Sequence, residues 1–96
     1  AAVYAATVHA AASGTVTFAG ETPGYGKTVV VTHRFGFQTR YAHLTLIYTR
    51  KGAEVEKGDV IGFVGSTGIS TGNHLHYEVI KNQKRINPLN FIYGTK

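Results

Sequence analysis

The stretch Gly65-Ser-Thr-Gly-Ile-Ser-Thr-Gly-Asn-His-Leu-His-Tyr-Glu78 joins a glycine-rich loop to a short alternating segment with two histidines two positions apart. Successive side chains on a strand point to opposite faces. A strand from His74 to Ile80 therefore puts His74, His76 and Glu78 on one face and Leu75, Tyr77 and Val79 on the other. An apolar face turned to a core and an imidazole face turned to a cleft would give a rigid support for catalytic or metal chemistry. The His-x-His pair alone is not specific, because a solvated polar strand face has the same pattern.

Upstream, the chain keeps reading as β. Twelve glycines accompany abundant Val, Thr and Tyr, and turn signals recur roughly every eight to twelve residues. No segment sustains a helical stripe. Thr15 to Ala19 alternates as a strand, and Pro23-Gly-Tyr-Gly26 forces a turn. The β-branched run Thr28 to Thr32 has the pattern of a strand covered on both faces. Phe35-Gly36 connects tightly into a strand from Gln38 to Leu44, on which Tyr41 and His43 share a face. Between Lys51 and Gly65, glycines stand at the corners of very short strands. Asn82-Gln83 reads as a hairpin turn, and Asn87-Pro88 precedes an apolar anchor at Leu89, Phe91 and Ile92. The expected fold is all-β: one small, mostly antiparallel sheet or sandwich domain over residues 1–96, with glycine-rich corners and a groove over the sheet.

Composition narrows the function classes. A hydrophobic content of 43% with mixed charge describes a folded domain. The absence of cysteine excludes disulfides and thiolate metal sites. Ten Lys and Arg against five acids give a net charge of +5, which favours polyanionic surroundings. The cations are dispersed, with only Lys81, Lys84 and Arg85 crowded, and they do not interleave with aromatics as in RNA-binding surfaces. No nucleic-acid partner is expected. No stretch is apolar for long enough to span a bilayer, so no membrane insertion is expected. The opening Ala1-Ala-Val-Tyr-Ala-Ala6 lacks the basic leader of a signal peptide.

Five histidines in so short a chain invite metal or acid–base chemistry. A catalytic zinc normally takes three protein ligands and a water whose pKa falls to about 7. An imidazole beside the metal can take the water proton or donate to the developing oxyanion. His43, on its own strand, could face the His74–His76 pair across a groove.

Several motifs then follow in order: Tyr25-Gly-Lys27, Val29-Val-Val-Thr-His33, Tyr41-Ala-His-Leu44, Val55-Glu-Lys-Gly-Asp-Val-Ile-Gly62, the Gly65–Glu78 stretch and Asn87-Pro88. This succession, covering nearly all of the chain, resembles the lysostaphin-type (LytM-like) zinc metallopeptidases that cut peptide bonds in bacterial peptidoglycan. The resemblance implies zinc as cofactor, peptidoglycan peptides as substrate and an extracytoplasmic location in the periplasm, cell envelope or medium. It makes His76 a zinc ligand and gives His74 and His43 catalytic roles beside the metal-bound water. Glu78 is either a carboxylate that orients an imidazole or an ordinary solvated strand residue. His33 and His9 fall at non-ligand positions, and Asp59 belongs to the Lys-Gly-Asp turn. Asn73 stands where the family commonly has proline, and the Gly65–Gly72 loop is expected to wall the groove.

The family draws its other two zinc ligands from a His-x-x-x-Asp segment that does not occur in these 96 residues. The opening residues resemble the family stretch just after that segment. Either the chain as given begins past the ligands, or it belongs to a degenerate member without them. One imidazole does not define a catalytic zinc site, so this chain alone is expected to bind zinc poorly and to be inactive. The alternative reading is a non-catalytic LytM-like module that binds cell wall or engages a cell-wall hydrolase or morphogenesis partner. A biotinyl or lipoyl carrier is disfavoured, since no lysine stands at a matching hairpin tip.

Overall fold

The computed structural model describes residues 4–66, 75–81 and 84–86, and these form two antiparallel sheets. Nine strands run in chain order among them: β1 Tyr4–His9, β2 Gly14–Thr22, β3 Gly26–Thr32, β4 Phe37–Leu44, β5 Leu46–Ile47, β6 Glu54–Val55, β7 Val60–Ser66, β8 His76–Lys81 and β9 Lys84–Ile86. The larger sheet has the order β6-β2-β3-β4-β8-β9, and the smaller has β1-β7-β5. The only helical element among the described residues is a 3-10 turn at Arg34–Gly36. The all-β, mostly antiparallel expectation holds.

The core lies between the two sheets. Val16, Val29, Val31 and Tyr41 of the larger sheet meet Val8 and Ile61 of the smaller one, all 5% exposed or less. β-Branched residues suit these positions, because a stiff, branched side chain packs well on a pleated surface. Backbone approaches backbone closely at Gly14, where an added Cβ would overlap the Thr32 carbonyl oxygen. The β2–β3 hairpin turns through Gly24 at φ 81° and Gly26 at φ 70°. Glycine reaches this left-handed region without a Cβ clash, so the hairpin can hold Tyr25 between two such residues.

One side of β3 departs from the fully covered strand that its sequence suggests. Val29 and Val31 are wholly buried, but Val30 and Thr32 on the opposite face are only half-buried. Their face, shared with Gln38 and Arg40 of β4, looks onto an open groove of about 540 Å³. The continuous apolar run therefore reflects a central strand with one dry face, not two. Between Lys51 and Ser66, β6 is short as expected but β7 is not. Gly65 continues β7, pairing with Ala5, and does not begin a loop. β8 and β9 pair antiparallel with Lys81 opposite Lys84, which fits the expected hairpin around 82–83. The anchor at Leu89, Phe91 and Ile92 lies outside the described residues.

His33 has a structural place, as its sequence position suggests. Its Nδ1 lies 2.7 Å from the Ser13 carbonyl oxygen, which can only accept, so Nδ1 carries the proton. In the neutral ring Nε2 then accepts from the Thr39 hydroxyl at 2.7 Å. Thr39 in turn accepts from Tyr41 at 2.7 Å, and Tyr41 accepts from the Ala11 N–H at 2.9 Å. The chain of bonds ties the β1–β2 connection to β4 beneath the sheet. Burial pushes the Tyr41 phenol above its ordinary pKa, against the opposing pull of Thr39 and Ala11.

Candidate metal and acid–base site

β4 and β8 are neighbours, with Ala42 opposite His76 and Arg40 opposite Glu78. His76 and Glu78 therefore share the groove face with Arg40, as strand alternation requires. Leu75 and Tyr77 pack against the core on the other side, and Val79 is 1% exposed.

His43 reaches the same place by a different route. The expected pairing of Tyr41 and His43 on one face does not occur: Tyr41 is in the core, whereas His43 is exposed with its ring centroid 5.7 Å from that of His76. The cause is local backbone. His43 adopts φ 60°, and the β3–β4 register slips between Lys27 and Val29 directly opposite. A left-handed residue and a bulge re-aim a side chain that strict alternation would have buried. The His43 N–H donates to the Tyr25 carbonyl at 2.9 Å, which fixes the irregular segment to the β2–β3 hairpin.

The second imidazole has a carboxylate behind it. His76 Nε2 lies 2.7 Å from Glu78 Oε2, and Arg40 Nη1 lies 2.9 Å from Glu78 Oε1. The Tyr25 hydroxyl donates to Oε2 at 3.3 Å. The Tyr25 ring also packs beside His76 at 5.5 Å, and the Arg40 guanidinium sits 4.8 Å over that ring. Glu78 is only 4% exposed, with Oε2 within hydrogen-bond distance of the imidazole. A buried carboxylate needs such partners, because desolvation otherwise disfavours its charge.

Arg40 and Tyr25 were not legible as part of this site in the sequence. Their contacts with Glu78 span 38 and 53 residues. The available signals were an arginine that is the only Lys, Arg, Asp or Glu of β4 and a tyrosine flanked by turn glycines. His74 lies outside the described residues, as do Asn73 and the Thr67–Gly72 part of the expected groove wall. Asp59 accepts from the Glu56 N–H at 2.9 Å within its own turn, as expected. His9 ends β1 at a register shift and is exposed.

His76 has the chemistry of a single metal ligand. With Nε2–H directed at Glu78, Nδ1 of the neutral ring keeps its lone pair. The oxygens of Glu78 are engaged by Arg40, His76 and Tyr25. Among the described residues no group of three His, Cys, Asp or Glu could hold a metal ion. They do not complete a three-ligand zinc site, and no reaction step through a metal follows from them.

The mostly antiparallel two-sheet scaffold is that of a lysostaphin-like peptidase domain. The chain matches Peptidase family M23 over residues 1–88 and belongs to that family. It is 48% identical over 88 residues to the DD-carboxypeptidase/endopeptidase Mpg of Neisseria meningitidis serogroup B, covering 92% of this chain and 20% of that protein. The catalytic domain of lysostaphin from Staphylococcus simulans superposes with a TM-score of 0.79 at 30% identity, covering 90% of this chain and 69% of that one. A chain in the structure of the SpoIIQ–SpoIIIAH pore-forming complex does so with a TM-score of 0.81 at 38% identity, covering 92% and 57%. The chain spans about a fifth of the length of the curated relative it matches. No helix of the described residues is long and apolar enough to cross a membrane.

Proposed function

We propose that this chain is the core of a zinc metalloendopeptidase that hydrolyses peptide bonds in bacterial peptidoglycan outside the cytoplasm. The observation that carries the reading is the meeting of His43 and His76, from two strands, next to Tyr25, which lines the groove. In this reading His76 serves the metal through Nδ1, and His43 and His74 handle protons at the reacting atoms. The groove supplies a peptide-sized floor, with Val30 and Phe18 as apolar surface and Gln38 and Thr17 as hydrogen-bonding groups. Mpg, a DD-carboxypeptidase/endopeptidase by name, supports the reaction class, and ShyA of Vibrio cholerae, a peptidoglycan DD-endopeptidase by name, supports the substrate class. The net charge of +5 suits an anionic wall.

The test is digestion of purified peptidoglycan by the parent protein, with released fragments resolved by mass spectrometry. Fragments produced by the wild type and lost in His76→Ala and His74→Ala support the reading. Equal release by all three contradicts it.

A second reading is a non-catalytic module that engages the cell wall or a protein partner. One observation favours it: a chain in a pore-forming protein complex shares the fold. A parent protein that binds peptidoglycan sacculi but releases no fragment, with or without added zinc, would select this reading.

A further inference from the structure

Arg40 touches neither of the two site histidines in any contact described above, yet it completes the arrangement around one of them. Its Nη1 occupies Glu78 Oε1 at 2.9 Å, and its guanidinium is itself held against the Tyr25 ring. Glu78 is thereby fixed from one side, so its other oxygen, Oε2, meets His76 Nε2 at 2.7 Å. The pair stands directly across the β4–β8 ladder, which makes the geometry a property of the sheet register.

A carboxylate oxygen in this position accepts from an N–H and so selects the Nε2–H tautomer of His76. In the other tautomer Nε2 would present a lone pair to that oxygen, and Nδ1 would carry a proton and be closed to a metal. We infer that Arg40 is a positioning residue: acting through Glu78, it holds His76 in the Nε2–H tautomer and leaves Nδ1 as the open donor. Tyr25 supports this from the groove side, since its hydroxyl reaches the same Oε2 and its ring backs both Arg40 and His76. The inference deepens the role proposed for His76 and rests on that reading only for its purpose. The tautomer itself is independent of whether any bond is cut.

The chain carries its own reference. His33 is expected in the opposite tautomer, with Nδ1–H on the Ser13 carbonyl. Long-range ¹H–¹⁵N correlation spectra of the imidazoles, recorded without metal at a pH where the rings are neutral, separate the two forms. The wild type should show His76 as Nε2–H and His33 as Nδ1–H. Arg40→Met, which keeps bulk over Tyr25 but removes the guanidinium, should lower the Nε2–H to Nδ1–H ratio at His76 by at least about tenfold, the scale of one charge-assisted hydrogen bond. His33 should stay as it was. Arg40→Lys should recover part of the ratio.

If Arg40→Met does not fold, Glu78→Gln answers the same question. An amide in place of the acceptor pair should broaden His76 into both tautomers while the sheet persists. An unchanged His76 tautomer in a folded Arg40→Met or Glu78→Gln protein overturns the inference, as does Nδ1–H at His76 in the wild type. Loss of peptidoglycan cleavage with an unchanged tautomer would leave the functional reading intact and remove this one.

Discussion

His43 and His76 meet edge to face, with ring centroids 5.7 Å apart and an interplanar angle of 84°. They do so only because His43 departs from strand geometry. A non-glycine residue at φ 60° carries a steric cost of about 1–2 kcal/mol. Replacing it separates backbone strain from side-chain chemistry. His43→Gly should be about 1 kcal/mol more stable than His43→Ala, since glycine adopts this conformation freely. Denaturant titration of the two variants checks this, and equal midpoints would show that the residue is not held in the left-handed region.

The bond network under the sheet predicts a stability effect without a site effect. His33→Ala removes the partner of both Ser13 and Thr39, and it leaves the hydroxyl chain to the buried Tyr41 incomplete. The expected loss is roughly 1–3 kcal/mol. Urea unfolding should reveal it, while the His43 and His76 imidazole signals keep their wild-type positions.

Close backbone approach makes Gly14 a sensitive position. A methyl group there would overlap the Thr32 carbonyl and press on Val31, so β2 and β3 must separate. Gly14→Ala should cost roughly 1–3 kcal/mol, the range for forcing extra volume into a packed site. A melting temperature equal to wild type would contradict the placement of β2 against β3.

Alkali should destabilise the domain through its buried tyrosines. Burial pushes the Tyr77 phenol up to about 12 from 10.0, and Tyr41 adds to the shift. The folded state thus keeps a proton that the unfolded chain releases. Stability from this group is fully present below pH 10 and is lost as pH rises from about 10 to about 12. The melting midpoint should fall across that window, and Tyr77→Phe should fall less steeply. Identical slopes would remove Tyr77 as a cause.

The sheet was readable in the sequence because β2 and β8 alternate, and period-two patterning reports directly which face is dry. The same patterning placed His76 and Glu78 together, and the Pro23-Gly-Tyr-Gly26 cluster marked the turn around Tyr25. It failed at His43, where a left-handed residue within a bulge at Ala42–His43 shifts the side chain to the other face. Neither has a compositional signature in Tyr41-Ala-His-Leu44. It also could not distinguish a β3 covered twice from one that floors a groove, since Val30 is apolar in either case. Arg40 and Tyr25 were hidden for a different reason. Their roles exist only through contacts with Glu78 that the sheet register creates, and no local spacing announces them.

On the proposed function, His43 and His76 belong to one catalytic constellation for peptidoglycan. The most direct measurement is the initial rate of new amino-group release from purified peptidoglycan by the zinc-supplied parent protein, comparing wild type with His43→Ala and His76→Ala. The expected result is measurable release by the wild type and a fall of at least about a hundredfold in each variant, the scale of a lost acid–base or ligand group. Wild-type rates retained in folded His43→Ala and His76→Ala proteins would contradict the account.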